Sequence, residues 1–115
     1  MRLGVGTSST AIVRAVNRPE IRLLADIFHM ARAGETPSDL AAVVDLLAHV
    51  HVAECAERTA PCVMGDDFRP WFSVLRAAGY AQGIGLECGR FELATDLEQG
   101  LETVRRHWQE AAIGG

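Results

Sequence analysis

Three short apolar runs recur along the chain, at residues 20–25, 48–53 and 82–87, and longer segments with helical spacing separate them. That rhythm constrains the fold more than any other feature. Ile21, Leu23 and Leu24 make the first run compactly apolar, with Asp26 at its end. The second alternates, so that His49 and His51 share one face of a strand while Val50 and Val52 share the other. The third sets Ile84 and Leu86 on one face and Gly83, Gly85 and Glu87 on the opposite one. Strands separated by helices of this length are joined by right-handed crossovers and lie parallel. The expected architecture is α/β.

The intervening segments carry helix signals. Ser8, Ser9 and Thr10 can cap a short helix over residues 11–16, which Asn17 and Pro19 stop. Thr36 and Pro37 open a second helix whose apolar face is Leu40, Val43, Val44 and Leu47. Asp66 or Asp67 can cap a third, with Phe68, Trp71, Phe72 and Leu75 on its apolar side and an end near Gly79. Thr95 or Asp96 starts a last one, with Leu97, Leu101, Val104 and Trp108 stacked along one side. The first residues, MRLGVG, can add an edge strand, and residues 1–9 otherwise remain unplaced within a single domain spanning 1–115.

Composition narrows the function classes. With 49% hydrophobic and 23% charged residues the chain can bury a core, so a disordered segment or a small disulfide scaffold is excluded. A formal net charge of −4 supplies no basic stripe for a phosphate backbone or an anionic lipid surface, so neither nucleic acid nor membrane is an expected partner. No apolar run approaches the roughly 18 residues of a spanning helix. Cys55, Cys62 and Cys88 are odd in number and lack metal-ligand spacing, which fits free thiols and a cytoplasmic location and argues against a closed thiolate zinc site.

Ionisable residues fall at or near the C-terminal ends of all three strands: Asp26, then His49 and His51, then Glu87. Loops diverge at that end of a parallel sheet, and side chains from different strands can converge there on a ligand. Each residue alone has a plainer reading: a strand-end aspartate caps the next helix, an inward histidine packs, and a glutamate by a turn faces water. Together they would be costly to bury uncompensated, and a divalent cation offsets that cost. Two carboxylates and an imidazole suit Mn2+, Co2+ or Mg2+ better than Zn2+.

The segments LLADIFHM at 23–30, AHVHVAECAER at 48–58, GDDFRPWFSVLRAAGY at 65–80 and GIGLEC at 83–88 together resemble the C-terminal part of the sugar phosphate isomerase/epimerase family. These are the xylose isomerase-like barrels that include ketose 3-epimerases and hydroxypyruvate isomerases. The resemblance implies a partial (β/α) TIM barrel, the last three βα units with parallel strands and flanking helices. It also implies that Asp26, His51 and Glu87 bind the metal, that Glu87 is a catalytic acid/base, and that His29 and Arg58 hold oxygens of a small sugar or hydroxy-carbonyl substrate. The implied chemistry is proton transfer next to a carbonyl through an enediolate. ECAER is one residue longer than the commoner family arrangement before the arginine.

A complete barrel of this kind has about 250 residues, and the family's metal-binding glutamate on strand five has no counterpart here. The resemblance therefore implies a truncated member, inactive alone unless it associates with itself or with a complementing chain. A non-catalytic interaction module assembling through exposed sheet edges is the alternative of a different class. A metal-dependent abasic-site endonuclease, an activity found in barrels of related design, is disfavoured by the acidic charge.

Overall fold

The computed structural model describes residues 2–4, 7–18, 20–56, 58–61, 63–88 and 96–111. In chain order the elements are β1 (Arg2–Gly4), α1 (Thr7–Val16), β2 (Arg22–Asp26), α2 (Ile27–Arg32), α3 (Pro37–Ala41), a 3-10 turn (Val44–Leu46), β3 (Leu47–Val52), α4 (Arg69–Ala77), β4 (Gly83–Leu86) and α5 (Asp96–Glu110). The four strands form one open sheet in the order β1-β2-β3-β4, and every neighbouring pair is parallel. Residues Arg2–Gly4 supply the extra edge strand expected near the start of the chain. No helix among the described residues is long and apolar enough to cross a membrane.

The alternation of β3 divides the sheet as expected. Val50 and Val52 are fully buried with Leu23 and Ala25 of β2, in one core with Val13 of α1, Leu40 of α3 and Trp71, Phe72 and Leu75 of α4. His49 and His51 lie on the other face and are only half-buried. Aromatic rings tie the helices together on the core side: Phe72 stacks on Phe68 at 6.1 Å and meets Trp108 of α5 edge-on at 5.6 Å.

Several helix boundaries differ from the sequence expectation. Helix α1 begins at Thr7, so Ser8, Ser9 and Thr10 lie inside it and do not cap it. It ends where expected, with Asn17 in the left-handed region at φ 51. The second expected helix is cut short. It stops at Ala41, and Leu47 belongs to β3, paired in register with Leu23. The register of β2 on β3 shifts between Leu23 and Leu24, because Leu23 faces Leu47 whereas Leu24 faces His49. Ala48 is thus an extra residue on β3, a bulge that changes which of its residues face the core.

Neither candidate aspartate caps α4. Phe68 occupies the cap position, and its backbone N–H donates to Nδ1 of His107 on α5, 3.3 Å away. Asp66 turns instead to the backbone N–H of Cys55, and Asp67 accepts from the backbone and guanidinium of Arg69. The hydrogen-bonded Arg69 holds the Asp67 carboxyl below the usual carboxylate range. Helix α4 ends as expected near Gly79, which has φ 74 two residues beyond Ala77. On α5, Leu101 is exposed, and Gly100 meets the protein in its place. A Cβ there would lie 3.2 Å from Leu86 and 3.5 Å from Pro61, so hydrophobicity alone misplaced Leu101, while Val104 and Trp108 pack against the core as expected. The possible helix start at Thr95 lies outside the described residues.

The glycines of β4 serve close packing. A Cβ on Gly83 would fall 2.8 Å from His49 Nδ1, and one on Gly85 3.0 Å from His49 Nε2. The imidazole of His49 therefore packs against the glycine-lined face of β4, and it meets His51 edge-on at 4.8 Å.

Two substitutions test this packing. Phe72→Ala is expected to destabilise the chain by about 3–5 kcal/mol, measured as a lowered urea midpoint by circular dichroism. Gly83→Ala must push the His49 ring aside at a cost of about 1–2 kcal/mol. It is also expected to shift the ring-proton resonances of His51, which an unmoved His49 would leave in place.

Candidate functional site

The C-terminal ends of β2, β3 and β4 form one rim, and the bulge on β3 decides what stands there. Because of the shifted register Asp26 pairs with His51, and His51 pairs with Gly85, two residues before Glu87. The backbone N–H of Glu87 continues the ladder by donating to the Val52 carbonyl at 3.1 Å. His51 Nδ1 and Glu87 Oε2 are 4.0 Å apart.

Asp26 is only 12% exposed, and both its carboxylate oxygens have partners. Oδ1 accepts from the backbone N–H of His29 at 3.1 Å, which makes Asp26 the N-cap of α2. Oδ2 lies 3.5 Å from Nη2 of Arg58 and 3.8 Å from Nε2 of His29. Helix α2 was absent from the sequence expectation, although its signal was present: an aspartate at a strand end, three residues before the backbone donor it caps. The plain reading of Asp26 as a capping residue holds alongside its place at the rim.

Arg58 crosses the rim. Its Nε donates to the backbone carbonyl of Glu87 at 3.1 Å while its Nη2 faces Asp26, so one guanidinium joins the ends of β2 and β4. Its plane lies over the Phe28 ring, 4.9 Å from the centroid, and Arg32 approaches the same ring at 5.5 Å. Asp26, His29, His51, Arg58 and Glu87 are thus neighbours along one edge. Among the described residues, however, no group of three His, Cys, Asp or Glu side chains is gathered closely enough to hold a metal ion. Cys55 is a half-buried free thiol, Cys88 is half-buried as well, and Cys62 lies outside the described residues.

One functional-looking residue escaped sequence reasoning. Glu54 is fully buried, and its carboxylate accepts from the Thr59 hydroxyl at 2.9 Å, from the backbone N–H of Asp66 at 2.9 Å and from the backbone N–H of Met64. Nothing in the spacing of AECAER distinguishes it from a solvated glutamate.

Known proteins are similar to this chain in sequence and in fold. A Mus musculus protein provisionally named a hydroxypyruvate isomerase is 30% identical over 102 residues, covering 87% of this chain and 36% of its own length. The chain thus spans little more than a third of the curated relatives it matches. Among solved structures, an L-ribulose 3-epimerase superposes with a TM-score of 0.77 at 17% identity, over 88% of this chain and 40% of that one. A D-allulose 3-epimerase from Methylomonas sp., in complex with D-allulose, gives a TM-score of 0.61 at 27% identity, over 93% of this chain and 38% of that one. The family model of the xylose isomerase-like TIM barrel matches residues 7–110, and the chain belongs to that family.

Proposed function

We propose that this chain supplies the cation-binding and substrate-orienting rim of a sugar or hydroxy-carbonyl isomerase/epimerase. The observation that carries the reading is the shifted register that sets Asp26 beside His51, with Glu87 4.0 Å from His51 on the same rim. Asp26, His51 and Glu87 are the donors that would hold the divalent cation, and they would have to draw closer together than they stand here to share it. Two carboxylates and one imidazole are hard and borderline ligands, suited to Mn2+, Co2+ or Mg2+. The cation, when bound, supplies positive charge to the oxygen that becomes anionic as a proton leaves the neighbouring carbon.

This chain's own residues do the rest of the work attributed to the rim. Glu87, 53% exposed, is the carboxylate free enough to take a carbon-bound proton and return it. Arg58 and His29 present N–H donors to substrate oxygens. Turnover needs a second acid/base that these residues do not include, so the chain's own contribution is binding and half of the proton transfer.

Binding is therefore the direct test. Isothermal titration of the folded chain with Mn2+ is expected to give micromolar or tighter affinity, and Glu87→Gln and Asp26→Asn are each expected to weaken it at least about tenfold. The absence of heat from folded protein, or unchanged affinity in both variants, would overturn the assignment.

A second reading concerns assembly with a second copy of the chain. The four parallel strands are half of the eight in a closed barrel, and β1 and β4 are the sheet's edges. A groove of about 400 Å3 lies beside the β4 edge, with Tyr80, Ile84, Val104 and Trp108 among its lining residues. Light scattering is expected to give twice the 12.4 kDa chain mass at high concentration. A monomer throughout the range would exclude this assembly.

A further inference from the structure

We infer that Glu54 is a positioning residue for Arg58, holding the loop after β3 in the one shape that lays the guanidinium across the rim. This rests on the proposed role of Arg58 at the substrate site, but the structural argument is independent of any ligand.

Glu54 closes the turn that contains Arg58 from two directions. Its backbone N–H donates to the Thr59 carbonyl at 2.8 Å, and its carboxylate Oε1 accepts from the Thr59 hydroxyl at 2.9 Å. Arg58 therefore stands immediately before a residue fastened through both main chain and side chain. The same carboxylate reaches onward to the backbone N–H groups of Met64 and Asp66, and Asp66 returns the link through Oδ2 to the Cys55 N–H at 2.7 Å. Arg32 adds an outer tie by donating to the Cys55 and Ala56 carbonyls, each at 3.1 Å.

Inside this frame Arg58 has φ 56, in the left-handed region. A side chain with a Cβ stays there only when its surroundings impose it. The turn bonded to Glu54 is the imposing element, since Arg58 has its left-handed backbone next to Thr59 while its Nε reaches the Glu87 carbonyl.

The chemistry of the position selects a carboxylate. Three donors converge on a fully buried group, and only an ionised carboxyl accepts from all of them without presenting a donor of its own. In Glu54→Gln the amide can keep its oxygen on the Thr59 and Met64 side, but its NH2 then faces the Asp66 N–H. One buried donor is left facing another, and the loop must rearrange to separate them.

The test follows solvent exchange by NMR in the whole 15N-labelled chain, with no cation or sugar added. In Glu54→Gln the Arg58 Nε–H is expected to exchange at least about tenfold faster than in the parent, while the amides of Val50, Val52 and Leu75 stay within about twofold. Unchanged Arg58 exchange, or acceleration only in step with those core amides, would overturn the inference, the second result marking Glu54 as a purely structural residue. If Glu54→Gln does not fold, Thr59→Val removes one donor and leaves the carboxylate its two backbone partners. Selective acceleration at Arg58 is again expected, and its absence again overturns the inference. Failure of Mn2+ binding would bear on the proposed function alone.

Discussion

One extra residue in β3 determines the chemistry available at the rim. Were β2 and β3 in unbroken register from the Leu23–Leu47 pair onward, Asp26 would stand opposite Val50, a residue with no exposed surface. The bulge at Ala48 advances β3 by one position, so the core keeps Leu47, Val50 and Val52 while His51 moves beside Asp26. Side chains alternate along a strand, and a slip of one residue exchanges the two faces. The core and the rim therefore depend on the same irregularity. Losing it would bury an imidazole and expose a valine together, which opposes any drift of the register.

The charge balance at the rim follows from this placement. Asp26 lies mostly out of water, and a carboxylate there needs compensation. It receives two kinds: the free N–H of His29 at the start of α2, and the guanidinium of Arg58. On the proposed reading a divalent ion would bring two charges to a carboxylate that Arg58 now supports with one. The two cations would then share Asp26 or exchange places on it. Arg58 keeps a separate anchor on the Glu87 carbonyl, so it can yield the carboxylate without leaving the rim.

Much of this was legible in sequence, and the exceptions share a cause. The three strands, the α/β class, the buried face of α4 and the positions of Asp26, His51 and Glu87 at or near strand ends follow from hydrophobic periodicity and the geometry of parallel sheets, whereas the pairing of Asp26 with His51 needs the bulge. What escaped were features that depend on distance in space. Leu47 fits a helical period as well as a strand, and only its pairing with Leu23 decides between them. Leu101 has the right hydrophobicity for the inner face of α5, but the close approach to Leu86 and Pro61 is possible only at Gly100. Asp66 and Asp67 carry a capping residue's chemistry but are claimed by Cys55 and Arg69. Glu54 reads as an ordinary surface acid until Thr59, Met64 and Asp66 fold over it.

The uncovered face of the sheet accounts for how so short an arc can hold its shape. The positions opposite the core include Asp26, His49 and His51. Such a face tolerates water, so the core between sheet and helices does not require the rest of a barrel to cover the strands' inner side. Among the described residues, β1 and β4 have no further strand on their outer sides, so the backbone N–H and C=O groups there have no ladder to join. Completion through further strands would satisfy those edges and enclose the rim in one step. Enclosure also lowers the local dielectric, which strengthens every charge interaction that Asp26, Arg58 and Glu87 make there. On the proposed reading, the same event that closes the sheet would thus turn the partly exposed polar rim into a site where proton transfer next to a carbonyl has electrostatic support.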